Sequence, residues 1–138
     1  MSEDLKQEAL EFVREHPTSH LATVDGGKPM TRVMYTPRVD DDFTVWYATS
    51  GSSNKIRQVK ADPNVCAVFY EDARWVRVCG QAKVVTDQEI KNELWEDDWT
   101  RYWPDGAENP DYVLMKATPE SVDILDLTKP EAITWRLN

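Results

Sequence analysis

The sequence predicts a mainly β, α+β protein: an antiparallel barrel with peripheral helices. Three observations predict it. Strand-like runs outnumber helical ones, and the first two are joined by the hairpin signal Asp25-Gly26-Gly27. The longest run, 74–85, alternates between two faces without a break. At 138 residues one core suffices, so a single domain over 1–138 is expected.

Each element follows from local pattern. Leu5, Ala9, Phe12 and Val13 recur at one-face helical spacing; Ser2 can cap that helix, Glu3 and Asp4 suit its first turn, and Pro17 ends it. A strand over 20–24 enters the glycine turn and returns over 29–38, closed by Pro37 and Asp40-Asp41-Asp42. A third strand covers 43–48. The next helix runs to about Lys60 and stops at Ala61-Asp62-Pro63-Asn64, since a residue before proline avoids helical conformation. A buried strand over 65–70 follows. In 74–85, Val76, Val78, Gly80, Ala82 and Val84 form a core face. Trp75, Arg77, Cys79, Gln81 and Lys83 face solvent, a ligand or a partner. Thr86-Asp87-Gln88-Glu89 is a capping box opening a helix with Ile90 and Leu94. Trp95, Trp99, Tyr102 and Trp103 then form an aromatic segment assigned to core or subunit packing. Short strands near 112–117, 121–126 and 132–136 finish the chain.

Composition narrows the function. Hydrophobic residues at 41% and charged residues at 30% suit a soluble globular protein. No apolar run approaches the ~20 residues of a membrane span and the N-terminus is not signal-like, so a cytoplasmic location is expected. A net charge of −9 argues against nucleic acid and anionic membranes as partners, and a phosphate site would need a local basic cluster. Cys66 and Cys79 fit a reducing compartment, as small buried hydrophobes without a disulfide. They make no metal site. Of the two histidines, His16 ends a helix and His20 opens a strand. No GxSxG, HExxH, P-loop or GxGxxG occurs, so no catalytic residue is nominated and reactive atoms would belong to a cofactor.

Two features bear on a ligand. Where the strand Phe43-Thr44-Val45-Trp46-Tyr47 stops, Ala48-Thr49-Ser50-Gly51-Ser52-Ser53-Asn54-Lys55-Ile56-Arg57 leads into a helix. Ser52 or Ser53 can cap that helix, or the helix start with Lys55 can hold an anionic oxygen cluster. Arg32, mid-strand among apolar neighbours, is costly to bury unpaired, which points to an anionic partner or a subunit interface.

The order of motifs then resembles a known family. His20-Leu21-Ala22-Thr23-Val24, the glycine turn and Pro29-Met30-Thr31-Arg32-Val33-Met34-Tyr35 are followed by Trp46-Tyr47-Ala48-Thr49-Ser50 and Lys55-Ile56-Arg57-Gln58-Val59. Asp62-Pro63-Asn64-Val65-Cys66-Ala67-Val68-Phe69 and Trp75-Val76-Arg77-Val78-Cys79-Gly80-Gln81-Ala82-Lys83-Val84 complete the set. This resembles the pyridoxamine 5′-phosphate oxidase-like, FMN-binding split-barrel superfamily over about 5–136, and its general stress protein 26 branch in particular. The resemblance implies a six-stranded Greek-key split β-barrel and a homodimer with FMN at the interface. It implies that Arg32, Val33, Met34 and Tyr35 border the flavin ring, Arg32 also reaching the phosphate. Ala48, Thr49 and Ser50 would contact the phosphate and ribityl chain, with Lys55 as the main phosphate cation. Trp75 would contribute from the long strand, and Trp135 or Trp103 would cover the ring from the other subunit.

Two departures qualify the activity. Asn54-Lys55 stands where the vitamin B6 oxidases have an Arg-Lys pair, and Arg57 compensates only if it turns inward. Their carboxy-terminal Arg-x-His segment has no counterpart here. The expected function is therefore FMN-dependent electron transfer between NAD(P)H and an unidentified acceptor, not oxidation of pyridoxamine phosphate. A non-catalytic flavin-binding stress or sensor protein and a deazaflavin-dependent reductase are the alternatives; haem is a remoter one.

Overall fold

Alternating apolar residues in long strands join into one antiparallel sheet. The computed structural model describes residues 3–126 and 133–136. In chain order the elements are α1 (Glu3–Glu15), β1 (Thr18–Asp25), β2 (Lys28–Tyr35), β3 (Arg38–Val39), β4 (Val45–Ser50), α2 (Asn54–Ala61) and β5 (Asn64–Glu71). They continue with β6 (Arg74–Val85), α3 (Gln88–Leu94), two 3₁₀ turns (Asp97–Arg101 and Gly106–Glu108), β7 (Tyr112–Asp126) and β8 (Ile133–Arg136). The strand order is β2-β1-β5-β6-β7-β4-β3, with β8 also on β7. The sheet stays open between β2 and β3, as a split barrel. Six of the eight strands have six or more residues; β3 and β8 are short additions.

One core cluster lies between α1 and the sheet, with Leu10, Val13, Leu21, Phe43, Phe69 and Val76 at its centre. The α1 stripe is buried through Ala9, Leu10, Phe12 and Val13. A second cluster packs Trp46, Leu94, Trp99, Trp103, Tyr112 and Leu114. It absorbs the aromatic segment as packing, the rings meeting edge-on or tilted. Inside the first core, Tyr47 Oη and Ser19 Oγ are 2.7 Å apart, and Ser19 lies 3.0 Å from Thr36 Oγ1. Burial pushes the Tyr47 phenol up to about 12, so it stays a neutral partner in that triad.

Several details differ from the sequence expectation. The strand over 29–38 breaks after Tyr35; Thr36 N–H still donates to Pro17 O at 2.6 Å, in register with β1, before Pro37, which has no N–H to pair. The two short strands expected near 112–117 and 121–126 are one strand of 15 residues, β7. Its register with β6 shifts at Cys79/Gly80, where Gly80 faces Pro119 and Cys79 faces Ser121, leaving Glu120 as the extra residue. A bulge tolerates the proline that a regular ladder would not. Only glycine fits opposite it, because a Cβ on Gly80 would collide with the Thr118 carbonyl. The hairpin turn takes Gly26 and Gly27 at φ 58 and 82, as a two-residue loop between twisted strands demands.

The cysteine expectation is overturned. Cys66 and Cys79 face each other directly across β5 and β6 and form a disulfide, their Cα atoms 4.1 Å apart. Composition speaks to compartment, whereas strand register decides which side chains meet. Capping also changes hands. Asp87, not Thr86, caps α3, its Oδ1 accepting from Ile90 N–H at 3.1 Å. Ser53 is the N-cap of α2, but its side chain makes no capping bond. Ser2 lies outside the described residues.

Candidate functional site

β2, β4 and the start of α2 converge with the first 3₁₀ turn around a cavity of about 700 Å³. Met34 and Tyr35 come from β2, Ala48, Thr49 and Ser50 from β4, and Lys55 from the first turn of α2. Glu96, Asp98, Trp99, Arg101, Tyr102 and Trp103 complete the wall. The antiparallel pairing of β4 with β7 sets Thr49 opposite Val113 and Ser50 opposite Tyr112, so the last residues of β4 are held at the cavity wall.

The basic end is built from two cations held by neutral groups. Lys55 Nζ donates to Thr49 Oγ1 at 3.0 Å. Arg32 donates from Nη1 to Leu21 O at 3.1 Å and from Nη2 to Gln58 Oε1 at 3.0 Å. Desolvation lowers the Lys55 ammonium from its ordinary value, and repulsion from the Arg32 guanidinium lowers it further. Desolvation lowers Arg32 as well. Among the described residues neither cation has a carboxylate partner, although the chain carries 25 acidic residues against 16 basic. Partly buried like charges left facing each other suit an anionic occupant.

The loop into α2 contributes less than a bare helix terminus would. Gly51 N–H donates to Asp111 O at 2.7 Å and Ser52 N–H to Asp111 Oδ1 at 3.1 Å. Burial would raise the Asp111 carboxyl, but hydrogen bonding from Ser52 holds it below the usual carboxylate range. The loop amides at 51 and 52 are therefore already taken by Asp111, one by its backbone carbonyl and one by its carboxylate. Ser53 Oγ, by contrast, is buried without a hydrogen-bond partner. The Trp103 indole N–H is also buried; it lies near Asp111 without completing a hydrogen bond.

Glu96 and Asp98 bring carboxylates to the same cavity. Tyr35 Oη donates to Glu96 Oε1 at 3.4 Å, and burial together with Glu96 raises the Tyr35 phenol. Burial, then the Glu96 charge, pushes Tyr112 up to about 12. Glu96, Asp98 and Arg101 were not legible as cavity residues in the sequence, because a 3₁₀ turn has no helical or strand periodicity to place them.

Of the residues singled out from sequence, Met34, Tyr35, Ala48, Thr49, Ser50 and Lys55 share the cavity, and Arg32 flanks it beside Lys55. Val33 points away and is 59% exposed. Trp75 is elsewhere: it lines a separate small pocket with Leu5, Phe12, Val76 and Leu125, under the Arg77 guanidinium at 5.1 Å. Its place on the outward face of β6 turns it from the Lys55 cavity of its own chain. Trp135 pairs through its backbone with Val122, and its side chain lies outside the described residues. Trp103 lines the cavity. Arg57 does not turn inward, because Asp25 Oδ2 accepts from its Nη2 at 3.1 Å. Gln58 is the residue sequence reasoning missed; a lone amide on the buried face of α2, beside Ile56 and Val59, is the signal that marks it.

Among the described residues no three His, Cys, Asp or Glu side chains are placed to hold a metal ion, and no helix is long and apolar enough to cross a membrane.

Comparison with known proteins agrees with this architecture. The chain is 29% identical to general stress protein 26 of Bacillus subtilis (strain 168) over 140 residues, covering 98% of each. The crystal structure of general stress protein 26 from Bacillus anthracis str. Sterne superimposes with a TM-score of 0.82 at 30% identity, over 96% of this chain and 98% of that one. A protein related to general stress protein 26, of the pyridoxinephosphate oxidase family, from Clostridium acetobutylicum shares the fold with a TM-score of 0.85 at 24% identity, over 99% and 97%. The pyridoxamine 5′-phosphate oxidase family model matches residues 5–126, and the chain belongs to that family.

Proposed function

We propose that this single-domain chain is an FMN-binding flavoprotein that passes electrons between NAD(P)H and a small-molecule acceptor, working as a homodimer with FMN at the subunit interface. The observation that carries this reading is the pair Arg32 and Lys55, partly buried, mutually repulsive and without a carboxylate partner among the described residues. A dianionic phosphate relieves that repulsion, and charge-assisted hydrogen bonds worth about 1.5–3 kcal/mol each then outweigh the screened field of an acidic protein. The donor set fits: Lys55, Arg32, Thr49 and Ser50 would hold the phosphate, with Ser53 Oγ, buried and unpartnered, nearby.

The rest of the cavity suits a flat, polar-edged ring. Met34, Tyr35 and Ala48 would flank it, and the Trp99–Trp103 wall would keep water from one side. Bound flavin supplies the hydride chemistry, so the protein needs no acid, base or nucleophile of its own. Its side chains bind, orient and shield. Met30, Val33 and Tyr35 are exposed at 42%, 59% and 48% on the edge strand β2, and Tyr70 at 52% on β5 beyond β1, which suits burial by a second copy. With Asn54 in place of a second phosphate cation and Arg57 held by Asp25, oxidation of pyridoxamine phosphate is not the proposed reaction.

An absorption spectrum of the purified protein, before and after NADH or NADPH, tests the proposal. The expected result is a yellow protein that releases FMN on denaturation and bleaches with a reduced nicotinamide. A colourless preparation that also refuses added FMN overturns the reading. Bound FMN that neither nicotinamide reduces would instead mark a non-catalytic flavin sensor.

A further inference from the structure

We infer that Gln58 is a positioning residue that keeps the Arg32 charge free for the anion, by holding the guanidinium through a neutral amide oxygen. The inference rests on the flavin-phosphate reading above.

Three cations surround the start of α2, and they are treated in two ways. Arg57 is neutralised by Asp25, through Nη2 at 3.1 Å and Nη1 at 3.4 Å. Lys55 is held by the Thr49 hydroxyl and Arg32 by Gln58 and the Leu21 carbonyl, all uncharged acceptors. Gln58 stands between the two arrangements. It is only 3% exposed, and its Oε1 accepts from Thr23 Oγ1 at 2.5 Å as well as from Arg32. Its Nε2 donates to Asp25 Oδ2 at 3.4 Å.

The chemistry of these partners fixes the amide. A carboxylate only accepts and a guanidinium only donates, so the amide nitrogen must face Asp25 and the oxygen must face Arg32. Gln58 thus spaces the Asp25 carboxylate from Arg32 while bridging to both. Were a carboxylate in its place, Arg32 would be paired within the chain, and a bound phosphate would have to compete for it. Were an apolar side chain there, the guanidinium would lose its anchor and the Thr23 hydroxyl its acceptor. Helical spacing serves the arrangement: Gln58 lies three residues after Lys55, so one face of α2 carries the ligand cation and the group that aims the second cation.

Gln58→Glu changes the charge with little change of shape, and Gln58→Met removes the acceptor with little change of volume. The experiment compares FMN with riboflavin, which has the same ring and no phosphate, by titration into wild type and both variants, each checked for folding by thermal melting. The expected result is FMN binding weakened about tenfold or more with riboflavin affinity within about twofold of wild type. The FMN loss in Gln58→Glu should also shrink in a double variant with Arg32→Ala, where the guanidinium to be misdirected is gone. Should Gln58→Glu fail to fold beside Asp25, Gln58→Met gives the same comparison. Equal weakening of both flavins overturns the inference, since that marks a purely structural glutamine. Unchanged FMN preference in a folded variant overturns it too, while leaving the flavin reading of the wild type standing. A wild-type chain that binds neither flavin overturns the flavin reading itself and removes the ground for this role.

Discussion

Lys55 is where a single side chain decides most. Its ammonium is half-buried, repelled by Arg32 and, among the described residues, held by a hydroxyl alone, so an anion gains more there than on an open surface. Replacing Lys55 by Ala is expected to weaken FMN binding about tenfold to a hundredfold while sparing riboflavin, measured by flavin fluorescence quenching. Unchanged FMN affinity would remove Lys55 from the site. His16 gives a second residue-scale prediction. Its ring bonds to Phe12 O at 2.7 Å and pairs with Glu71; these contacts raise it above 6.5, the Phe12 carbonyl most of all. Folding therefore favours the protonated ring. The added stability is complete below about pH 6.5 and is lost as pH rises through the folded value. The melting-temperature gap between wild type and His16→Gln should accordingly narrow from about pH 5.5 to about pH 8.5. A gap that stays constant would mean the ring acts by packing alone, against Phe12.

At the level of elements, the two helix starts make a controlled contrast. Asp87 caps α3 with a 3.1 Å bond, whereas Ser53 occupies the cap of α2 without making one. Asp87→Ala should cost about 1 kcal/mol in denaturant unfolding, and Ser53→Ala less than about 0.5 kcal/mol. A loss at Ser53 as large as at Asp87 would restore the capping role that its position alone suggests. The disulfide is a second test of an element. Cys66 and Cys79 sit opposite each other in a hairpin that the β5–β6 ladder already closes. The double variant Cys66→Ala, Cys79→Ala should therefore keep its fold and lose about 3 kcal/mol, the entropy returned to the unfolded chain, by the same unfolding measurement. Pattern reading succeeded for elements with a strong period. β6 is found at the bounds that its alternation marks, and α1 buries Ala9, Phe12 and Val13 of the stripe that its spacing marks, with Leu5 half-buried at its start. It failed where a bulge intervenes: Pro119 and Glu120 look like a break between strands, yet β7 runs through them because the bulge takes up the extra residue.

For the whole molecule, the exposed edge strand and the acidic surface make opposite demands. A net charge of −9 opposes association, while Met30, Val33, Tyr35 and Tyr70 leave apolar surface exposed that the proposed dimer would bury. In sedimentation velocity the wild type is expected as a dimer. Val33→Glu, at the most exposed of the apolar β2 positions, should shift it to monomer and weaken FMN uptake together. A wild-type monomer that still binds FMN stoichiometrically would refute the interfacial site.

The family resemblance named Met34, Tyr35, Ala48, Thr49, Ser50 and Lys55, which share one cavity in the folded chain. By itself the sequence determined the mainly β class, the glycine hairpin and the long alternating strand. These depend on local period and on turn chemistry, which neighbouring residues carry. Tertiary structure alone decided that Cys66 meets Cys79, that Arg57 is taken by Asp25, that Trp75 turns from the cavity, and that Gln58 holds Arg32. Each of those depends on strand register or on helix rotation against the sheet. A shift of one residue in register would exchange every such partner while leaving the local pattern unchanged.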